Sequence, residues 1–397
     1  MKAYVVASRR ALPPFEKPAS AVRFKEGTLR ERLDAQLRAA GLEVVAVDAA
    51  PAPVPAGSIV VSDDVVLSRR MLERFLAAIP DRRRSYQLEI ESGRFTLLAS
   101  KSAPELWKLL PLTYHGDGEG PPEPLRMQPK PVFEFQEGLP PRMHLLTDII
   151  VFFFDFWAVK IDYWFDLQTA TSLYCRELVT RLISPFHGRV PTPVLNWFTS
   201  SPWVMSKCNS IGKRCRIHRT AILEGCVIGD DVEIGPFSYL RSSVIGDRAV
   251  VREKSSIKMS YVGARGFVMG ADIVNSYVGA ETSIFTPMLY NVVFGERGFL
   301  SGGSGFADFI VGASSIPATI EGKQVQSGLP FLASGIGDDV FIGANMIFAP
   351  GRTIPDGTQL LDQGLIKQVP AKPHGAYVLS NGELVQIPDS FLKRRSA

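Results

Sequence analysis

Between residues 206 and 361, apolar positions recur in a fixed register. Gly212, Gly229, Gly246 and Gly263 stand 17 residues apart, each preceded by a β-branched residue: Ile211, Ile228, Ile245 and Val262. The surrounding text reads as six-residue units, such as Val227-Ile-Gly-Asp-Asp-Val-Glu-Ile-Gly235, with an aliphatic residue opening almost every unit. A fixed internal period takes precedence over local propensity. It predicts a chain that turns a corner every five or six residues, with one aliphatic side chain inward per short strand and a small residue after it easing the turn. Three such faces make a coil of 17 or 18 residues, and stacked coils align the aliphatics into one column: a three-sided β-solenoid. The spacing falls to 16 at Gly279 and Gly295. From about Ala307 to Ser334 the period fails, which predicts a loop leaving the solenoid. It resumes as Gly335-Ile-Gly-Asp-Asp-Val-Phe-Ile-Gly-Ala-Asn345, and further turns near Phe348 and Ile354 carry it to about Leu361. An antiparallel sandwich would alternate with period two and has no fixed glycine spacing.

The text before the solenoid has the mixed periodicity of α/β material. Lys2–Ala7 reads as a strand, Thr28–Ala40 as a helix stopped by Gly41, Leu42–Val47 and Ser58–Ser62 as strands, and Ser68–Ile79 as a helix that Ser68 caps. These patterns divide the chain into an α/β domain over 1–118, a Pro-rich and aromatic segment over 119–205, the solenoid over 206–369 with its insertion near 306–334, and a tail over 370–397. Asp166–Ile183 reads as a helix, and Asn381-Gly382 as a hairpin turn. The apolar run Leu145–Phe165 is interrupted by Asp148, Asp155, Lys160 and Asp162, short of the roughly 18 uncharged residues a membrane helix needs. It reads as a buried strand or helix, with docking on a membrane surface as the other reading.

Composition narrows the function. Lys and Arg total 44 against 40 for Asp and Glu, a net charge of +4 over 397 residues, which leaves no broad basic field for nucleic acid. Met1–Val6 is too short an apolar run for a signal peptide. Cys175, Cys208, Cys215 and Cys226 form no CxxC pair and read as buried small residues in a reduced, cytoplasmic protein.

The hexapeptide text resembles the left-handed parallel β-helix of the hexapeptide acyltransferases. That resemblance implies a homotrimer with sites between neighbouring helices and an acyl-CoA, such as acetyl-CoA, as donor. The front of the chain is similar to a family that places a nucleotidyltransferase domain before this solenoid, the bifunctional N-acetylglucosamine-1-phosphate uridylyltransferase and glucosamine-1-phosphate acetyltransferase enzymes. The likeness lies in Arg9-Arg-Ala-Leu-Pro-Pro-Phe-Glu-Lys-Pro18 and the text to Arg32, in Val61-Ser-Asp-Asp-Val-Val66, and in Tyr163-Trp-Phe-Asp-Leu-Gln-Thr-Ala170. It implies phosphate contacts from Arg9, Arg10, Lys17 and Arg23 and a Mg ion on Asp63 or Asp64, with surface or salt-bridge roles as the alternative. Ala7–Leu12 stands where the family has a Gly-rich phosphate loop, and it contains no glycine. A chain with a Cβ on every residue approaches phosphate less closely.

Acetyl transfer in the family uses a histidine as general base, because imidazole titrates near neutrality. Aligned on the family's text, that position falls on Phe285, or on Met288 with a shifted loop, and no histidine occurs between His218 and His374. Asp308 or Glu296 is left as the candidate base. The resemblance further implies ligand contacts at Ser301, Gly302, Gly303 and Ser304, and at Asp338, Asn345 and Arg352 in the terminal coils; plain solenoid corners are the alternative. The insertion, with Gln324, Gln326 and Ser327, resembles the segment that covers the family's acceptor pocket. Two functions follow: a transferase of sugar-nucleotide pathways binding a nucleotide sugar, sugar phosphate or acyl-CoA, or a non-catalytic trimeric scaffold.

Overall fold

The computed structural model describes residues 1–24, 27–92, 95, 106–118, 120–137, 149–183, 194, 201–361, 364–366, 369, 375–380 and 383–388. They form two compact units. One holds Met1–Ala11 and most of Lys17–Asp162; the other holds Leu12–Glu16, Tyr163–Val179 and the described residues from 201 onward.

In the first unit, β1 (Lys2–Val6) pairs in parallel with β2 (Glu43–Val47) and β3 (Ser58–Ser62). With β4 (Tyr86–Glu91), β5 (Trp107–His115) and β6 (Glu123–Met127) they form a mixed six-stranded sheet in the order β2-β1-β3-β5-β4-β6. Helix α1 (Leu29–Ala39) buries Leu29, Leu33 and Leu37, one per turn. Its start is a capping box: Thr28 Oγ1 accepts the Glu31 N–H at 3.2 Å, and Glu31 Oε2 accepts the Thr28 N–H at 2.7 Å. Helix α2 (Met71–Ala78) starts later than expected, with Arg70 at the cap. Ser68 instead accepts the Trp157 N–H at 2.9 Å, so a buried long-range contact replaces the local cap. The aromatic run is the strand Ile149–Phe154, antiparallel to Pro131–Glu137. Phe152, Phe153 and Phe154 are buried, and Phe154 meets Phe95 edge-on at 5.3 Å. No described helix is long and apolar enough to cross a membrane.

The second unit is a parallel β-helix. On its first face Ile211, Ile228, Ile245, Val262, Val278, Phe294, Ile336 and Ile354 are successive rungs. A second face runs from Arg216–Ile217 to Thr358–Leu360, and a third is built of strands such as Tyr239–Arg241 and Met288–Tyr290. Each short strand sends one side chain inward, and Ile234, Leu240, Val251, Ile257, Val268, Ile273 and Ile284 are at most 1% exposed. At about 1.5–3 kcal/mol per buried aliphatic, this column is the principal stabilising element of the unit. The chain leaves the solenoid after Gly305–Phe306 and rejoins at Ser334–Ile336, having formed the hairpin Pro317–Ile320 with Lys323–Gln326. Strands flank Asn381 and Gly382, which lie outside the described residues, as does most of the connector from 185 to 202.

The repeating glycines act otherwise than the sequence suggests. Left-handed backbone falls two residues later, on Arg214, Asp231, Arg248 and Arg265 at φ 56°, 57°, 58° and 56°. Gly229 and Gly246 are required by proximity, because a Cβ there would lie 2.7 Å and 2.5 Å from the backbone nitrogens of Asp247 and Ala264 on the next coil. The aspartate after the glycine has its own purpose. Asp230 Oδ1 accepts the Lys213 N–H at 2.7 Å, and Asp247 Oδ1 accepts the Asp230 N–H at 2.8 Å, each satisfying an amide one coil back.

Helix α3 (Trp164–Ile183) roofs the first face. The Trp164 ring lies against Gly335, where a Cβ would stand 2.5 Å from Cδ2; Gln168 bonds Asn291; and Val179 lies beside Gly225. Fifteen residues of helix span about 22 Å, and the five rungs between those ends span about 24 Å. The outward residues Val244, Tyr261, Tyr277 and Val293 are consequently buried.

Candidate active site

Asp308 lies at the corner between the third and first faces, at the mouth of the insertion. The corner residues of the two preceding coils are Asn275 and Asn291, at φ 49° and 56°, and Asp308 follows Asn291 by one coil length. Asparagine tolerates left-handed backbone better than most residues, which suits it to these corners. Asn291 Nδ2 donates to Asp308 Oδ2 at 2.7 Å, while Asn291 Oδ1 accepts from Asn275 Nδ2 at 2.7 Å and Gln168 Nε2 at 3.1 Å. Burial raises the Asp308 carboxyl, and the Asn291 hydrogen bond offsets this only in part. Nearby, the Tyr290 hydroxyl donates to Asp272 Oδ2 and is pushed up to about 12, chiefly by burial and then by that carboxylate, so it stays protonated.

The insertion is anchored at its stem and along its hairpin. The Leu332 N–H donates to the Asp308 carbonyl at 2.9 Å, and the rings of Phe309 and Phe331 stack at 5.5 Å. The Thr319 N–H donates to the Gly351 carbonyl at 2.8 Å, and Arg352 Nη1 donates to Thr319 Oγ1 at 2.7 Å. Arg352 is thus engaged through one nitrogen, its Nε is buried without a hydrogen-bond partner among the described residues, and burial lowers its pKa. Asp338 accepts the Glu296 N–H at 2.8 Å, the same coil-to-coil bond as at Asp230. Asn345 is exposed at a left-handed corner, and a Cβ on Gly303 (φ 77°) would collide with its Oδ1. Ser301 is half-buried, and Gly302 has room for a Cβ. Ser304 is buried, donating to the Gly343 carbonyl at 2.6 Å and accepting the Met346 N–H at 2.9 Å. Of this group, Ser301 and Asn345 keep solvent-facing polar surface.

Glu296 occupies a different corner, between the first and second faces. Arg297 donates to it at 3.2 Å and grips Asp339 with two bonds of 2.7 Å. Glu296 and Asp308 therefore stand at different corners in different surroundings and are not brought together. Phe285 stands in an aromatic file with Phe267 at 5.4 Å and Phe299 at 5.2 Å, and Phe299 stacks on Phe341 at 4.9 Å. Met288 is 56% exposed. His218 is exposed in the first coil, its Nδ1 2.8 Å from Thr220 Oγ1.

In the first unit, Asp63 Oδ1 accepts the Ser8 N–H at 2.7 Å, and Oδ2 lies 3.5 Å from Arg30. Asp64 is buried beside it, with Oδ1 making no hydrogen bond. No cluster of three or more metal-ligating side chains occurs among the described residues. A guanidinium at one carboxylate and a backbone amide on its other oxygen do not suit Mg. Arg9 pairs with Asp48 at 2.7 Å on the surface. Arg10 and Arg23 are exposed, and Lys17 is half-buried.

Gln168, Asn275 and Asn291 were not singled out from sequence. The two asparagines stand 16 apart in the repeat, and Asp308 follows by 17, a periodic trace of the ladder that escapes notice when only apolar positions are followed.

The chain matches no protein-family profile and no characterised protein by sequence. Among solved structures it is similar to the polysialic acid O-acetyltransferase OatWY, with 15% identity, 45% of this chain and 87% of that chain covered, and a TM-score of 0.20. It is also similar to a mutant of AntD, an N-acyltransferase from Bacillus cereus in complex with dTDP-4-amino-4,6-dideoxyglucose and coenzyme A (17% identity, 47% and 88% covered, TM-score 0.20). A third is the polySia-specific acetyltransferase NeuO (13%, 45% and 82%, 0.19). Likeness at this level carries no argument about substrate or mechanism; the β-helix rests on its strand registers.

Proposed function

We propose that the protein is an acyltransferase of the left-handed hexapeptide type, acting on a hydroxyl or amine of a sugar, sugar phosphate or nucleotide sugar, with Asp308 as the base. The observation that carries this reading is the Asp308 carboxyl itself: partly buried, held by a neutral amide, and raised by burial with no cation offsetting it among the described residues. An ordinary carboxylate is a weak base at neutral pH, and raising its pKa toward the working pH strengthens it. When bound, an acyl-CoA supplies the acyl group as a thioester; Ser301 and Asn345 would meet its amide chain. Asp308 takes the acceptor's proton as the acceptor attacks the thioester carbonyl, the C–S bond breaks and coenzyme A leaves as the thiol, carrying away that proton; Asn291 holds the carboxylate, and the insertion screens the site from water.

A homotrimer is part of this proposal. The file Phe267, Phe285, Phe299 and Phe341 faces outward with Met269 and Met288, 43% and 56% exposed, an apolar surface suited to a neighbouring copy. Phe299→Glu should convert the trimer to monomer by light scattering; an unchanged mass would remove the file from the interface. We take the first unit to retain nucleotidyltransferase ancestry without its transfer chemistry, and the cysteine pattern to indicate the cytoplasm. A scaffold role is the second reading, favoured by Phe285, which stands packed where the family has histidine. Thiol release from acetyl-CoA in the presence of amino sugars, sugar phosphates and nucleotide sugars tests both. Turnover lost in Asp308→Asn supports the enzyme, whereas no turnover with any pair supports the scaffold.

A further inference from the structure

We infer that Gln168, on the helix that roofs the solenoid, is a positioning residue for Asp308, acting through the orientation of the Asn291 amide. This rests on Asp308 being the base proposed above. Asn291 presents an oxygen at one end of its amide and a nitrogen at the other, and rotation by half a turn exchanges them. In the observed orientation Oδ1 receives two donors, Gln168 Nε2 and Asn275 Nδ2, and Nδ2 is directed to Asp308 Oδ2. With Gln168 and Asn275 as they stand, the reverse orientation sets the NH₂ group against two NH₂ groups, and in any case it sets the carbonyl against a carboxylate. The two donors therefore select the arrangement in which the ionised Asp308 receives a hydrogen bond.

Gln168 and Asn275 make unequal contributions to this selection. Asn275 is a rung of the same corner, built into the solenoid, whereas Gln168 arrives from a separate element, 123 residues earlier in the chain. Gln168 is 3% exposed, and its helix is pinned one turn before it by the Trp164 ring on Gly335. Gln168 Oε1 is buried without a hydrogen-bond partner among the described residues, so the Nε2 bond to Asn291 is what orients this amide, and removing it halves the donors that hold Asn291. The titratable neighbours on the third face are Tyr290, which stays protonated, and its partner Asp272. Neither can replace Asn291 as donor to Asp308 while the Tyr290 hydroxyl is engaged with Asp272.

The test uses the full chain with ¹³C-labelled aspartate, following the Asp308 carboxyl signal, assigned by its loss in Asp308→Asn, through a pH titration. Gln168→Met keeps side-chain volume and removes the donor; Gln168→Glu also places an acceptor against Asn291 Oδ1. The Asp308 midpoint should rise by about one pH unit in Gln168→Met, as expected when a carboxylate's hydrogen bond is weakened, and further in Gln168→Glu. If Gln168→Glu does not fold, Gln168→Met alone decides. The acid limb of kcat should move with the midpoint, while KM for the acyl donor stays unchanged. A midpoint in folded Gln168→Met equal to that of the wild type overturns the inference and leaves the acyl-transfer reading intact. A shifted midpoint in a protein with no turnover upholds the inference and removes the acyl-transfer reading.

Discussion

Asp63 in the α/β unit and Asp308 in the solenoid are both acids withdrawn from solvent at the end of a strand or beside one, and both were candidates for chemistry. Their surroundings separate them. Asp63 has a backbone amide on one oxygen and Arg30 at 3.5 Å from the other. Asp308 has a neutral amide on one oxygen and, among the described residues, no offsetting cation. A charge-balanced acid contributes structure, while an acid in low dielectric without a counter-charge holds its proton more tightly and is tuned toward proton transfer. The position of an acid on a motif is thus a weaker guide than the charge of its neighbours.

The comparison can be broken most directly at the reaction. Asp308→Asn should lower turnover by about 10²–10⁴-fold, the usual contribution of a general base, and Asp63→Asn should leave it unchanged; the reverse pattern in a thiol-release assay would exchange the two assignments. In denaturant unfolding, the order inverts. Asp63→Asn should cost about 2 kcal/mol, between the values for exposed and fully buried ion pairs, and a loss below the error of the fit would show that Arg30 is not needed. The smallest effect sharpens the contrast through pH. Because the folded state holds the Asp308 proton more tightly than the unfolded chain, its contribution to stability is full in acid and is lost as pH rises through the folded pKa. Asp308→Asn should therefore match the wild type below pH 4 and exceed it at pH 7 by up to about 1 kcal/mol; a mutant less stable at pH 7 would mean that the carboxylate is favourably held.

Much of the solenoid could be read directly, because its stability depends on a one-dimensional column whose period is written in the text. The break at Ala307, the resumption at Ser334 and the inward aliphatics follow from that period. What could not be read is what passes between coils. Gly246 looks like a turn residue, yet it is required by a backbone nitrogen on the next coil, and Ser304, which looks like a ligand contact, bonds two backbone groups. Asp308 is visible in the sequence as one of two candidate acids, but its link to Asn291 and Gln168 is not, since a buried hydrogen bond between residues 123 apart leaves no local pattern. In the first unit, Thr28 and Glu31 encode their helix start locally, whereas Ser68 was claimed by Trp157 from far along the chain.

The roof helix and the solenoid beneath it behave as two scales of a vernier. One helical turn advances about 5.4 Å and one coil about 4.8 Å, so the turn and the rung start in step and drift by roughly 0.6 Å with each coil. From Trp164 to Val179 the helix makes about four turns while five coil spacings pass beneath it, about 22 Å against about 24 Å, close enough for Trp164, Gln168 and Val179 each to meet the solenoid. A much longer solenoid would carry the later turns of the helix out of phase with the coils below. Coil number and helix length are therefore coupled: a relative that gained or lost one coil between Gly225 and Gly335 would have to change this helix by about one turn to keep both Trp164 and Val179 on the solenoid.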